Sequence, residues 1–162
     1  MKASNDGKPA AKGPTLKARA VGYLSRREHS RLELGRKLAR FGEEEEVRAV
    51  LDTLEKEGWL STERYAQSVV HRLAAKQGTV RIMYELRQHG VADAQIADLR
   101  SDLEATELAR AREVWRKRFG ELPADAAQRA KQLRFLMSRG FGQATIKQVL
   151  RGTDLDDPGD SD

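Results

Sequence analysis

Three glycines constrain this chain more than any other feature of it. Gly42 and Gly90 stand 48 residues apart, and Gly90 and Gly140 stand 50 apart. Four residues before each is a leucine, Leu38, Leu86 or Leu136, and nine residues after each is Leu51, Leu99 or Val149. Upstream, at a similar interval, lies an apolar pair: Tyr23-Leu24, Val69-Val70 or Val114-Trp115. Self-similarity at a fixed period of this size is the signature of a repeat array. A unit of about 50 residues is too small to bury its own apolar face well, so neighbouring units have to stack.

Between the glycines the pattern is helical. Ala, Leu, Arg, Glu, Lys and Gln dominate, and no segment sustains the period-two alternation of a half-buried strand. Apolar positions recur at helical spacing, as in Val47, Val50, Leu51 and Leu54, or Ile146, Val149 and Leu150. The spacing predicts helices over 16–28, 30–41, 44–57, 62–76, 79–89, 94–103, 104–119, 127–139 and 143–151. The expected fold is all-α: an elongated tandem array of three three-helix, helix-turn-helix-like units, about nine helices in all. The units fall at 15–60, 61–103 and 104–152. Ser30 and Glu33 read as a capping box, each bonding the other's backbone amide. Thr79 and Asp93 read as N-caps and the three glycines as helix-ending C′ residues. Glu43 to Glu46 place negative charge on the positive end of a helix dipole.

Charge narrows the function. The net charge is +5, from 30 basic and 25 acidic side chains. Residues 15–152 hold 27 basic against 19 acidic groups, and 104–152 alone hold eleven against five. A basic body implies a polyanionic partner, nucleic acid or an assembly containing it. The segments 1–14 and 153–162 are rich in Gly, Pro, Ser, Lys, Ala and Asp, with almost nothing to bury, and are expected to be disordered tails. The second carries five aspartates and no basic residue.

Several chemistries find no support. There is no cysteine, which excludes disulfides and thiolate chemistry. His29, His71 and His89 are scattered without metal-ligand spacing. The four consecutive glutamates point in different directions on a helix and cannot converge on a metal. Phosphate-binding glycine loops and nucleophile elbows are absent from the sequence. The expectation is a non-enzyme without cofactor. No apolar run approaches the ~20 residues needed to cross a bilayer, and residues 1–15 lack the apolar stretch of a secretory signal. The expected location is the cytoplasm, and no long heptad seam argues for anything but a monomer.

Three stretches resemble the RecX family of bacterial recombination regulators. The first is Leu24-x-x-Arg27-x-x-Ser30-x-x-Glu33-Leu34 with Leu38 and Gly42 behind it. The second runs Gly58-Trp59-Leu60, Glu63-Arg64-Tyr65-Ala66, Arg72, Lys76-x-Gly78, Ile82, Glu85-Leu86 and Gly90. The third is Lys131-x-x-x-Phe135-Leu136-x-x-Arg139-Gly140-Phe141. One departure is Ser61-Thr62, where the family usually shows an acidic residue; it looks like a swapped helix N-cap. The resemblance implies a protein that binds the RecA recombinase, chiefly as its filament on single-stranded DNA. It implies that the protein restrains the filament's ATP hydrolysis, strand exchange and co-protease activity, in DNA repair and the SOS response, with weak DNA binding of its own.

The contact candidates are Arg27 and Arg31 in the first unit and Arg72 and Lys76 in the second. In the third they are Arg116, Arg118, Arg134, Arg139 and Lys147. If about six of these basic groups meet phosphates, affinity should fall with salt on a log–log slope of about −4 to −5. Tyr65, Ala66, Gly78, Leu86, Gly90, Phe135, Leu136 and Phe141 read as scaffold, and Trp59 as core ahead of an interface anchor. A second reading makes the chain a stand-alone helix-turn-helix-like transcriptional regulator. Segment 143–151 would then be its recognition helix, offering Gln143, Thr145, Lys147, Gln148 and Arg151 to bases.

Overall fold

A computed structural model describes residues 13–152. The expected tails, 1–14 and 153–162, lie outside the described residues apart from Gly13 and Pro14. Eight α-helices and one 3-10 turn are present, with no strand among the described residues: α1 Leu16–Leu24, α2 Arg31–Leu38, α3 Glu44–Lys56, α4 Thr62–Leu73, α5 Thr79–Gln88, α6 Ala97–Arg118, α7 Ala126–Ser138 and α8 Gln143–Arg151. The all-α expectation holds, and so does the tandem repetition. Leu38, Leu86 and Leu136 are each 0% exposed, the same position in three copies of the unit.

The helix count differs from the expectation. The separate helices predicted over 94–103 and 104–119 are a single 22-residue helix, α6, entered through a 3-10 turn at Asp93–Gln95. Nothing between Asp102 and Ala105 stops a helix, since neither Gly nor Pro stands there. The boundary drawn at 103/104 from the repeat period therefore falls inside a helix.

The chain divides into two compact units at Leu60–Ser61. In the first, α1, α2 and α3 enclose Ala20, Leu34, Leu38, Val47, Leu51, Leu54 and Leu60. Ser30 caps α2, its Oγ accepting from the Glu33 amide at 3.0 Å. The reciprocal half of the expected capping box is not formed, because the Glu33 carboxylate is taken by Arg27 and Lys37. Gly42 is also not the left-handed residue expected; Gly58, after α3, has the positive φ of 79°. Trp59 is 45% exposed rather than core.

The second unit carries two apolar clusters that share α6. Tyr65, Val69, Ile82, Met83 and Leu86 pack against the N-terminal half of α6 at Leu103. Leu136, Phe141, Ile146, Val149 and Leu150 pack against its C-terminal half at Ala111. Ser61 caps α4, its Oγ accepting from the Arg64 amide at 3.2 Å, as the swapped-cap reading expected. The residue before α5 is Gly78, not Thr79, and Asp93 lies inside the 3-10 turn, its carboxylate bonded to Arg87 at 2.9 and 2.8 Å. Gly90 and Gly140 do end α5 and α7 with positive φ, 77° and 85°. After each, the next amide reaches back to the buried leucine's carbonyl, Val91 to Leu86 at 3.0 Å and Phe141 to Leu136 at 3.3 Å.

Two charged side chains of α6 bind the two halves of this unit together. Glu107 accepts from the Thr79 amide at 2.9 Å and from the Thr145 hydroxyl at 2.7 Å, so one carboxylate serves the first turns of both α5 and α8. Burial pushes this carboxyl upward, but the bonds from Thr145, Thr79 and Gly142 outweigh it and hold it below the usual carboxylate range. Arg110, one turn on, donates to the carbonyls of Ala74 (3.1 Å), Gln77 (2.6 Å) and Leu103 (2.9 Å) and to the Thr79 hydroxyl (3.2 Å). It closes the C-terminal end of α4. The backbone completes the junction: Gly78 donates to the Arg139 carbonyl at 2.7 Å and Val80 to the Gly140 carbonyl at 3.2 Å.

Candidate polyanion interface

The nine contact candidates separate once their partners are known. In the first unit both are engaged internally. Arg27 holds the Glu33 carboxylate with both terminal nitrogens. Arg31 spans from α2 to α3, reaching Asp52 at 2.8 Å and Glu55 at 3.1 Å. Neither is a standing cation for a partner.

The Arg27–Glu33 pair belongs to a network around a buried histidine. His29 is 2% exposed. Its Nδ1 lies 3.0 Å from the Arg27 carbonyl, and its Nε2 lies 2.8 Å from Lys37 Nζ. An ammonium can only donate, so Nε2 accepts and Nδ1 carries the proton. Burial holds His29 below its ordinary value of 6.5, with the Arg27 and Lys37 charges adding to the effect against the Arg27 carbonyl and Glu33. The unfolded chain therefore binds a proton at higher pH than the folded one. Stability is full above about pH 6.5 and falls as pH drops through that value. Glu33 is itself held below 4.5, so its contribution is lost only in more acid solution. The melting temperature of the first unit is expected to fall between pH 7.5 and 5.5. A His29→Gln variant should lack that slope in a thermal-denaturation series, and an equal slope in both proteins would remove His29 as its cause.

In the second unit the candidates fall into three groups. Arg116 is bonded to Glu113 at 2.6 and 3.1 Å, and Arg72 lies 3.9 Å from Glu85. Lys76, Arg134 and Lys147 are exposed and have no ion-pair partner among the described residues. Arg118 and Arg139 form the third group, set over aromatic rings.

Arg118 and Arg139 both meet Phe135, with their guanidinium carbons 5.7 and 5.2 Å from its ring centre. Phe119 stands edge-on to the same ring at 5.3 Å, and Arg118 also lies 5.7 Å from Phe119. Both guanidiniums are thus within 6 Å of one ring, so their charges are within about 12 Å of each other. Each cation–π contact contributes about 0.5–1 kcal/mol at such a site and restricts the long side chain without neutralising it. Lys131, Arg134 and Phe135 lie three and four residues apart, on one stripe of α7. Lys131 and Arg134 are exposed. The result is a patch of four cations around a half-buried aromatic ring, built from the C-terminus of α6 and the outer face of α7.

The sequence singled out Arg118, Arg134 and Arg139 but placed Phe135 in the scaffold and left Lys131 out. The signal was present: Lys131, Phe135 and Arg139 recur at i, i+4, i+8, a mixed basic and aromatic stripe. Arg110, one of the eleven cations of 104–152, lies on α6 and faces inward. Thr145, offered for base reading, is bonded to Glu107. Among the described residues no three His, Asp or Glu side chains converge to hold a metal ion. No helix there is long and apolar enough to cross a membrane.

Comparison with known proteins matches all three units. Family models described as the first, second and third three-helix domains of RecX match residues 17–54, 63–99 and 105–150. The chain is 54% identical over 146 residues to a protein of Ralstonia nicotianae named Regulatory protein RecX, covering 88% of this chain and 92% of that one. It is 53% identical over 141 residues to one of the same name from Leptothrix cholodnii, covering 86% and 90%. The crystal structure of RecX from Lactobacillus salivarius has the same fold, with a TM-score of 0.73 at 20% identity over 86% of this chain and 95% of that one.

Proposed function

The chain belongs to the RecX family, and from that premise we propose that it is a regulator of the RecA recombinase, binding the filament that RecA forms on single-stranded DNA. Its relatives of about half-identical sequence carry the name of a regulatory protein along nearly their whole length. The residues put to work are those of the second unit's basic patch: Lys131, Arg134, Arg139 and Arg118 around Phe135. They sit near the DNA phosphates while the protein surface engages recombinase subunits. Contact with more than one subunit at once raises the effective concentration of every further contact. The outcome is inhibition of ATP turnover, strand exchange and co-protease activity, by occupying the space that movement between subunits requires. Direct DNA binding is weak, no membrane is involved, and the protein acts as a monomer in the cytoplasm without a cofactor or catalytic step of its own.

The observation that carries this reading is the cation-rich patch held on an aromatic ring in a chain of this family. Its test is the DNA-dependent ATPase of RecA at substoichiometric amounts of this protein. The wild type is expected to suppress the rate. The Arg118→Glu, Arg139→Glu double variant, with unchanged helical content, should require about tenfold more protein for the same suppression, since two cations have become two anions. An unaffected ATPase together with tight, sequence-selective duplex binding would overturn the reading in favour of a transcriptional regulator.

A further inference from the structure

Tyr84 is 52% exposed, whereas Tyr65, the other tyrosine of the second unit, is 4% exposed. Val80, one turn before it on α5, is exposed as well and shares its side of the helix. The core therefore does not account for this ring. The repeat sharpens the point. Tyr84 stands six residues before Gly90, the register held by Arg36 before Gly42 and by Arg134 before Gly140. Both arginines are exposed, and Arg134 belongs to the patch around Phe135. One exposed position on the second helix of each repeat is thus a cation in two copies and an aromatic ring in the other.

The ring also adjoins that patch. Arg81 lies against the turn between α7 and α8, where a Cβ on Gly140 would stand 2.3 Å from Arg81 Cβ. Gly140 follows Arg139, whose guanidinium lies 5.2 Å from the Phe135 ring centre. Tyr84 is one helical turn beyond Arg81, so its Cα is within about 15 Å of that of Arg139. Lys76 and Arg81 stand on either side of Gly78, which bonds the Arg139 carbonyl. Both are exposed and have no ion-pair partner among the described residues. Glu85, next to Tyr84 in sequence, is engaged by Arg72 at 3.9 Å and His89 at 3.6 Å. A flat ring beside cations that are not neutralised suits a ligand with both π-faces and phosphates. Single-stranded nucleic acid is such a ligand, because its unpaired bases are open to stacking. We propose that Tyr84 is a stacking platform for an unpaired base, with Lys76, Arg81 and Arg139 on the flanking phosphates. This rests on the polyanion reading above and deepens it: the phosphates supply attraction, and the ring recognises that the strand is single.

The experiment uses the full chain and two labelled strands of equal length at about 0.1 M salt: a single-stranded oligonucleotide, and an abasic strand with the same phosphates and no bases. The wild type is expected to bind the base-bearing strand about tenfold more tightly than the abasic one. Tyr84→Ala should lose that preference and bind the abasic strand as the wild type does. Tyr84→Phe, which keeps the ring, should retain it. The Arg118→Glu, Arg139→Glu variant should weaken both strands alike, since it acts on phosphate attraction. Equal binding of the two strands by the wild type, or an equal loss on both in Tyr84→Ala, overturns the stacking role and leaves the polyanion reading standing. Unaltered binding of the base-bearing strand by Tyr84→Ala overturns it too, and weaker suppression of the RecA ATPase by that variant would then assign the ring to a protein contact. A wild type that binds neither strand removes the polyanion reading itself, and the stacking role falls with it.

Discussion

Replacing Gly140 with alanine is expected to unfold the second unit at ordinary temperature. Two penalties coincide at this position. Its φ of 85° costs an L-residue about 1–2 kcal/mol. A Cβ there would also stand 2.3 Å from Arg81 Cβ, 2.6 Å from its amide nitrogen and 2.9 Å from its Cα. These are atoms of the first turn of α5, which cannot swing aside as a side-chain end can. Relief requires parting α5 from the α7–α8 turn, and that breaks the bonds from Gly78 to Arg139 and from Val80 to Gly140. Overpacking costs about 1–3 kcal/mol and the buried Gly78 donor left unpaired about 1–3 more. The sum, about 3–8 kcal/mol, is comparable with the whole stability of a small domain, about 5–15 kcal/mol. Gly120→Ala is the control in the same unit. Its φ is 73°, but its nearest new contact is an ordinary 3.4 Å, to the Arg116 carbonyl, so about 1 kcal/mol of backbone strain is all it should show. Equal denaturation midpoints for the two variants would mean that the close approach of the two backbones does not matter.

The second large effect belongs to Arg110. Arg110→Met keeps the apolar stem but leaves the carbonyls of Ala74 and Gln77 without this donor and removes the guanidinium that interacts with Glu107. Breaking a partly buried charged network from one side costs about 3–5 kcal/mol, and the loss should appear in urea titrations of the full chain. Thr79 ties the two charges together, its amide donating to Glu107 and its hydroxyl accepting from Arg110. The double variant Glu107→Gln, Arg110→Met should therefore be less damaged than the sum of the single changes. Strict additivity would show that the two side chains act independently.

Arg110 and Glu107 also show what was readable in the sequence and what was not. The helices and their buried leucines followed from periodicity, and the swapped cap at Ser61 from local chemistry, because those forces act within a turn or two of chain. The internal charges did not. In a sequence, a buried arginine and a solvated one are the same letter, and eleven cations against five anions made every one of them look available. A signal existed. Leu103, Glu107, Arg110, Ala111 and Val114 fall at i, i+4, i+7, i+8 and i+11, so both charges lie on the apolar stripe of α6. Charges on such a stripe need partners across the core. The continuity of α6 was hidden for a different reason. The repeat period suggested a boundary at 103/104, and the absence of any helix-stopping residue there was the better guide. In the candidate patch, three of the four cations were found but Lys131 and the ring that organises them were not, since Phe135 reads as core until its edge-on neighbour and its two guanidiniums are placed.

The unbroken course of α6 bears on how such chains can be recombined. A crossover at residue 103, where the arithmetic of the period invites it, would leave each core whole but join two parents inside a 22-residue rod, putting Glu107 and Arg110 on one side and their partners Thr79, Ala74 and Gln77 on the other. Hybrids made from relatives have a clean seam at Leu60–Ser61. Although the sequence counts to three, its exchangeable cassettes number two, one of a single triplet and one of a fused pair.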